Sequence, residues 1–246
     1  LRDVYKRQAQ THAGTYYLVD GEGWINASDL STTDNRIEAV QKVLNEKYNN
    51  QERISVYVKQ LDTDRVAAIN DEKSMYAASV AKLGVLYYAQ ERLSQKKLSL
   101  SDEYQYTAAV NGFPGAYDPD GSGKISKMPD DKNYSLENLL KAVAQNSDNV
   151  ATNILGYYVT NQYDKAFQKS VDKAAATSWN MDKKELTARA AGTLMEAVYR
   201  QNGDIINYLS STDYDGERIS KNIDVPVAHK IGDAYDFKHD VAIVSV

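Results

Sequence analysis

The chain has 246 residues, 42% of them hydrophobic, with 29 Lys and Arg against 34 Asp and Glu for a formal net charge of −5. Such a length can bury a full core, and the charge balance offers no basic face for nucleic acid; no apolar run approaches the ~20 residues of a membrane helix. There is no cysteine, which excludes disulfides and Cys-ligated zinc, and the three histidines His12, His229 and His239 fall at no zinc-binding spacing, so neither a metal nor a cofactor is expected.

In chain order, residues 1–8 (LRDVYKRQ) share no pattern with the rest of the chain and are expected to lie outside the natural coding sequence. Residues 15–19 and 23–27 read as short strands around an Asp20-Gly21 turn signal. With its Gly23-Trp24 pair this hairpin resembles the end of a bacterial SH3-like repeat, which implies a partial module over residues 9–31 and, through it, association with the cell wall. The polar run Ser31-Thr32-Thr33-Asp34-Asn35 reads as a linker ending in a helix N-cap, and the main domain is placed over residues 32–246.

From there the periodicity is clearer. Ile37, Val40, Val43 and Leu44 predict a helix over residues 36–48. Residues 54–61 alternate as a strand, Asp62-Thr63-Asp64 turns the chain, and residues 65–69 return. A long helix comes next over 79–93, then helices over 136–144, 149–159, 162–173 and 184–199, with an irregular Gly-, Pro- and Asp-rich stretch over 111–133. Strands close the chain at 225–231 and 241–246. The fold class is α+β: N- and C-terminal strands share an antiparallel sheet and helices fill the middle. Because residues 241–246 stop without a turn, a last strand and helix are expected beyond them.

Ser79-Val80-Ala81-Lys82 opens the long helix. A serine there has unpaired backbone N–H groups near its hydroxyl, and Lys82 stands one turn along. Burial or a cationic neighbour would lower the lysine's pKa and let it accept the serine's proton. Ser-x-x-Lys occurs three times, also as Ser94/Lys97 and Ser170/Lys173. Only Ser79 sits among Ala77, Ala78, Leu83, Val85 and Leu86, where a lysine is costly without a partner or a role. Ser147-Asp148-Asn149 lies between two helices, where Ser147 can relay a proton and Asn149 can bind an amide, or where the triplet simply caps a helix. Ala228-His229-Lys230-Ile231-Gly232 lies on a late strand. Lys230 there can bind an anion or hold down the pKa of Lys82, and Gly232 leaves the backbone open to a ligand. The histidines have no nucleophile-elbow serine to serve, since Gly-x-Ser-x-Gly is absent, which disfavours a Ser-His-Asp triad.

Ser-x-x-Lys on a core helix, then Ser-Asp-Asn, then Lys-x-Gly on a late strand resembles the signature set of class A β-lactamases and penicillin-binding proteins, over residues 35–246. The resemblance implies a serine hydrolase in which Ser79 is acylated, Lys82 activates it, Ser147 shuttles a proton, Asn149 binds the substrate amide and Lys230 attracts its carboxylate. Gly232 lies along the substrate, and the oxyanion is met by backbone N–H groups of Ser79 and of Asp233 or Ala234. It also implies a β-lactam or peptidoglycan-like substrate and a place outside the cytoplasmic membrane of a Gram-positive type of cell; a monomer is expected, and the charge balance gives no nucleic-acid partner. Two departures stand out. Ile231 replaces the usual Thr or Ser, and no Glu followed by Leu-Asn lies between Ser147 and the last strands. Asp172, Asp182 and Glu185 lack that context. Weak deacylation is therefore expected, with a peptidoglycan D-Ala-D-Ala-type peptidase or a non-catalytic wall-binding protein with a decayed site as alternatives. Residues 118–126 match the first positions of an EF-hand calcium loop, but Pro129 stands where its last ligand belongs.

Overall fold

The amphipathic pattern of residues 36–48 produces a helix with those limits. In a computed structural model, which describes residues 5–11, 14–19, 23–29 and 34–245, the chain divides into two compact units: residues 1–49 with 59–67, and residues 50–58 with 68–246. In the first unit, β1 (Tyr5–Thr11), β2 (Gly14–Val19) and β3 (Gly23–Asn26) form an antiparallel sheet in that order. Residues 5–8, set apart by their sequence, thus pair with β2, Tyr5 opposite Val19 and Gln8 opposite Tyr17. The Asp20-Gly21 turn lies outside the described residues. Helix α1 (Arg36–Tyr48) buries Ile37 and Leu44. Its first turn is closed by Asp34 rather than by Asn35: Asp34 Oδ1 accepts from the Arg36 N–H at 3.1 Å, while the Asn35 side chain makes no capping bond. The bidentate guanidinium of Arg36 and the amide of Gln60 hold the Asp34 carboxyl well below the usual carboxylate range.

The division runs through the hairpin of β4 (Val56–Lys59) and β5 (Val66–Ile69). In the second unit, β6 (Met75–Tyr76) leads into a 3-10 turn (Ala78–Ala81) and then α2 (Lys82–Ser94). The long helix expected from residue 79 therefore begins as a 3-10 turn, because Ala78 takes φ 50°, a left-handed conformation that interrupts the backbone ladder. Leu83, Val85, Leu86 and Ala89 of α2 are fully buried and make it the core helix. Strands β7 (Glu103–Gln105) and β8 (Asn133–Ser135) pair, and α3 (Leu136–Asn146), α4 (Asn149–Tyr158) and α5 (Lys165–Ala175) add their apolar faces to the same core.

The helix expected over 184–199 starts later. Lys184 has φ 52°, Glu185–Leu186 forms β9 paired with β6, and Thr187 caps α6 (Ala188–Gln201) by accepting from the Ala190 N–H at 3.0 Å. After α7 (Asp204–Leu209), β10 (Val227–Ala234) and β11 (Phe237–Val244) pair in register, Lys230 opposite Val241 and Gly232 opposite His239. The α+β layout is as expected. Among the described residues the strands form separate ladders, so β4–β5 and β10–β11 are two antiparallel pairs rather than one continuous hydrogen-bonded sheet.

Candidate active site

Ser79 sits one residue after the left-handed Ala78. That turn is held from three sides: the Ala77 N–H donates to Lys184 O at 2.6 Å, the Val80 N–H donates to Ala77 O at 3.0 Å, and the Tyr117 hydroxyl donates to Ala78 O at 3.3 Å. Strand β10 presses against the same turn. A Cβ on Gly232 would lie 2.6 Å from Ala77 O, so glycine is required there by the backbone of the serine turn. The ligand-facing reason read from the sequence is not the one that geometry supplies. Ser79 is part-exposed and lines a cavity of about 200 Å3 with Ser122, Ser147, Tyr214, Glu217, Arg218, Ile231 and Asp233.

Lys82 is fully buried one turn along the helix. Its Nζ donates to Ser147 O and to Asn149 Oδ1, both at 2.6 Å, lies 3.4 Å from Ser147 Oγ, and stands 4.6 Å from the centre of the Tyr117 ring. Burial, and then the nearby Lys230 ammonium, push its pKa well below the ordinary lysine value, against the attraction of Asp148. Lys230, also buried, donates to Ser147 Oγ at 2.8 Å and to Ile231 O at 3.2 Å. Burial lowers it to about 7, opposed by the Asp240 carboxylate. Ser147 is thus shared by two buried lysines. It occupies the left-handed C-cap of α3, φ 54°, which turns the chain sharply between α3 and α4.

Asp148 caps α4 through Ala151 N–H at 2.8 Å, and its other oxygen accepts from Lys124 and Ile125 N–H groups at 2.6 and 2.9 Å. Asn149 donates its side-chain amide to Asp118 O at 2.7 Å and its backbone N–H to Ser122 O at 2.8 Å. Loop 118–126, with its likeness to a calcium loop, is therefore docked onto the Ser-Asp-Asn segment. Asp118 Oδ1 accepts from the Asp120 N–H at 2.9 Å, and no cluster of three or more metal-ligating side chains exists among the described residues.

Of the predicted residues, Lys82 and Lys230 meet on Ser147, Lys82 also reaches Asn149, and Ser79 shares the cavity with Ser147; Gly232 packs against the turn that carries Ser79. The acids weighed for deacylation do not line the cavity. Asp172 accepts from the Trp179 N–H at 3.2 Å and Gln168 Nε2 at 2.6 Å, closing the end of α5; Glu185 is an exposed residue of β9, and Asp182 is exposed. His229 lies between Asp240 and Asp215, at 3.1 and 3.2 Å, and His239 donates to Tyr76 O at 2.8 Å. Neither histidine bonds Ser79; His12 lies outside the described residues. Sequence reasoning missed Arg218, which lines the cavity with its guanidinium donating to His239 O at 2.7 Å, Gly232 O at 3.2 Å and Asp233 Oδ2 at 2.6 Å. It also missed Tyr117 and Lys184. No local spacing marks these three, since each meets its partners only across the fold.

This arrangement, a serine in the turn before the core helix, a buried lysine opening that helix and a second lysine on a late strand, belongs to the α+β fold of β-lactamases and penicillin-binding proteins. A model of the β-lactamase enzyme family matches residues 35–246, and the chain belongs to that family. Among solved structures it is similar to a β-lactamase from Sphaerobacter thermophilus at 16% identity and a TM-score of 0.65, covering 86% of this chain and 83% of that one. A β-lactamase from Chitinophaga pinensis matches at 18% identity and 0.64, covering 85% of each chain. A structure of PBP-A matches at 14% identity and 0.62, covering 83% of this chain and 85% of that one. These likenesses are likenesses of fold. A comparison with curated protein sequences returned no match.

Proposed function

We propose that the chain is a serine hydrolase that forms an acyl-enzyme at Ser79 with a β-lactam or a related peptidoglycan-type amide and releases it slowly. One observation carries this reading: Ser79 and Ser147 line one cavity, and two buried lysines meet on Ser147. As Ser79 Oγ attacks the carbonyl carbon, its proton passes to the neutral Lys82 amine. The oxyanion falls to the backbone N–H of Ser79 and, of the two later candidates, to that of Asp233, whose residue lines the cavity. The C–N bond then breaks, and the departing nitrogen takes a proton from Lys82 through Ser147 Oγ. Lys230 and Arg218 supply the positive charge for a substrate carboxylate. The carboxylates on the cavity are Glu217, an exposed side chain, and Asp233, which pairs with Arg218 and Lys238 at 2.6 and 3.1 Å. Neither matches the buried acid that a fast deacylation calls for, which supports slow release.

Intact mass spectrometry with benzylpenicillin tests the reading. A lasting adduct is expected on the wild type and none on Ser79→Ala; nitrocefin turnover without an accumulating adduct would overturn slow release. Ile231, in place of a hydroxyl residue, lines the same cavity. Ile231→Thr is expected to raise the second-order acylation rate about tenfold, the worth of one hydrogen bond to a charged group. An unchanged rate would show that the carboxylate does not sit there.

One observation favours the alternative of a decayed, wall-binding site: both ends of the Asn149 amide are already bonded within the protein. Absence of any adduct would select it. A peptidoglycan peptidase uses the same residues and would show as adduct formation together with cleavage of a D-Ala-D-Ala peptide. Action outside the cytoplasmic membrane, as a monomer with wall association through residues 9–31, belongs to the same proposal; among the described residues no helix is long and apolar enough to cross a membrane.

A further inference from the structure

The turn that carries Ser79 is clamped by a residue that sequence reasoning took only as a helix start. Lys184 accepts the Ala77 N–H on its carbonyl at 2.6 Å. Its side chain is buried, donates to Gly115 O at 2.8 Å, and makes no ion pair among the described residues. Its Nζ stands 4.5 Å from the centre of the Tyr117 ring, and Lys82 Nζ stands 4.6 Å from the same centre. The two nitrogens are therefore within about 9 Å of each other, with the Tyr117 ring as their shared neighbour. The Tyr117 hydroxyl ties that ring to Ala78 O, next to the nucleophile.

We propose that Lys184, held over Tyr117 by Gly115 O, is a positioning residue for Lys82: its ammonium keeps the proton off Lys82 and leaves that amine free to accept the proton of Ser79. This rests on the acyl-enzyme reading of the site. Two like charges sharing a poorly hydrated site disfavour each other's charged form. The groups acting on Lys82 are Lys230 on β10, Asp148 between α3 and α4, Lys127 in the loop before β8, and Lys184; Asp182 supports the charge on Lys184. Burial lowers the Lys184 pKa and Asp182 opposes that, while on Lys82 burial is joined by three cations and opposed by the single acid Asp148.

Acylation needs neutral Lys82, so its rate falls on the acid side of the Lys82 pKa. Removing the Lys184 charge raises that pKa and moves the acid limb to higher pH. For charges no more than about 9 Å apart the shift is about 0.3 pH unit or more, depending on screening. The experiment measures the benzylpenicillin acylation rate against pH by intact mass, for wild type, Lys184→Gln and Lys184→Arg. Glutamine can still donate to Gly115 O, so the clamp is retained; Lys184→Met is the second neutral variant should the first not fold. A higher midpoint in the neutral variant with a wild-type midpoint in Lys184→Arg supports the proposal. An unmoved midpoint in a folded neutral variant, or an equal shift in Lys184→Arg, overturns it. If the wild type forms no adduct, the acyl-enzyme reading fails by itself. An NMR titration of the Lys82 side-chain nitrogen in wild type and the neutral variant then decides the Lys184 effect independently of activity.

Discussion

Lys82→Met is expected to lower the rate of Ser79 acylation by about 10²–10⁴-fold, the range supplied by a positioned general base. The side chain is 0% exposed and its hydrogen bonds go to Ser147 and Asn149, so methionine of similar length fills the same space without a basic nitrogen. Two acceptors, Ser147 O and Asn149 Oδ1, lose their donor, at about 1–3 kcal/mol for each that stays dry. Relief from burying an amine beside Lys230 offsets part of this. The melting temperature should move far less than the rate. Lys82→Arg should not restore activity, because a guanidinium does not give up its proton at any working pH. Second-order acylation rates at a pH where the wild type is on its plateau provide the check. A Lys82→Met protein acylating within threefold of wild type would remove Lys82 from the role of base.

Asp148→Ala is expected to be the most destabilising single change at the site, by about 3–5 kcal/mol in urea unfolding, the cost typical of a buried charge network losing one member. Asp148 is 0% exposed, and its two oxygens accept from Ala151, Lys124 and Ile125 N–H groups at 2.8, 2.6 and 2.9 Å. Alanine leaves all three donors without a partner: one at the start of α4, two in the loop that brings Ser122 to the cavity. Gly123 shows how close that loop runs. With φ 133° and a would-be Cβ 2.3 Å from the Asp148 carboxyl carbon, it leaves no room for a larger residue. Asp148→Asn keeps one acceptor oxygen and should cost less than the alanine. A loss below about 1 kcal/mol for the alanine would mean that the loop re-forms its bonds with water.

Several elements arise from local pattern. Helix α1 has its predicted limits because Ile37 and Leu44 recur on one stripe, and α3 and α4 form because Leu136, Leu139, Leu140 and Val143, then Val150, Ile154 and Leu155, do the same. Their caps, Ser135 and Asp148, are also local signals. The pattern misleads at residue 184. Apolar spacing extends a helix back to Lys184, but tertiary pairing of Glu185–Leu186 with Met75–Tyr76 makes those residues a strand. Likewise the expected helix start at Ser79 gives way to a 3-10 turn, because Ala78 is held left-handed by contacts from Tyr117 and Lys184 that lie far along the chain.

What the sequence by itself determined is the set of chemical groups and their order: a serine and lysine one turn apart on an apolar helix, a serine–aspartate–asparagine triplet between helices, and a lysine on a late strand. Those identities need only residue type and short-range spacing, and through the family resemblance they carry they lead to the expected fold and to Ser79 as the expected nucleophile. Only the tertiary structure decided the electrostatic state of the site. The pKa of Lys82 depends on its burial and on the charges around it, and Lys230, Asp148 and Lys184 are brought near it from positions 66 to 148 residues away in the chain. It also decided that Gly232 serves the serine turn, that Asp148 staples loop 118–126, and that Arg218 faces the cavity. Each of these is a matter of distance through space, which residue order does not encode locally.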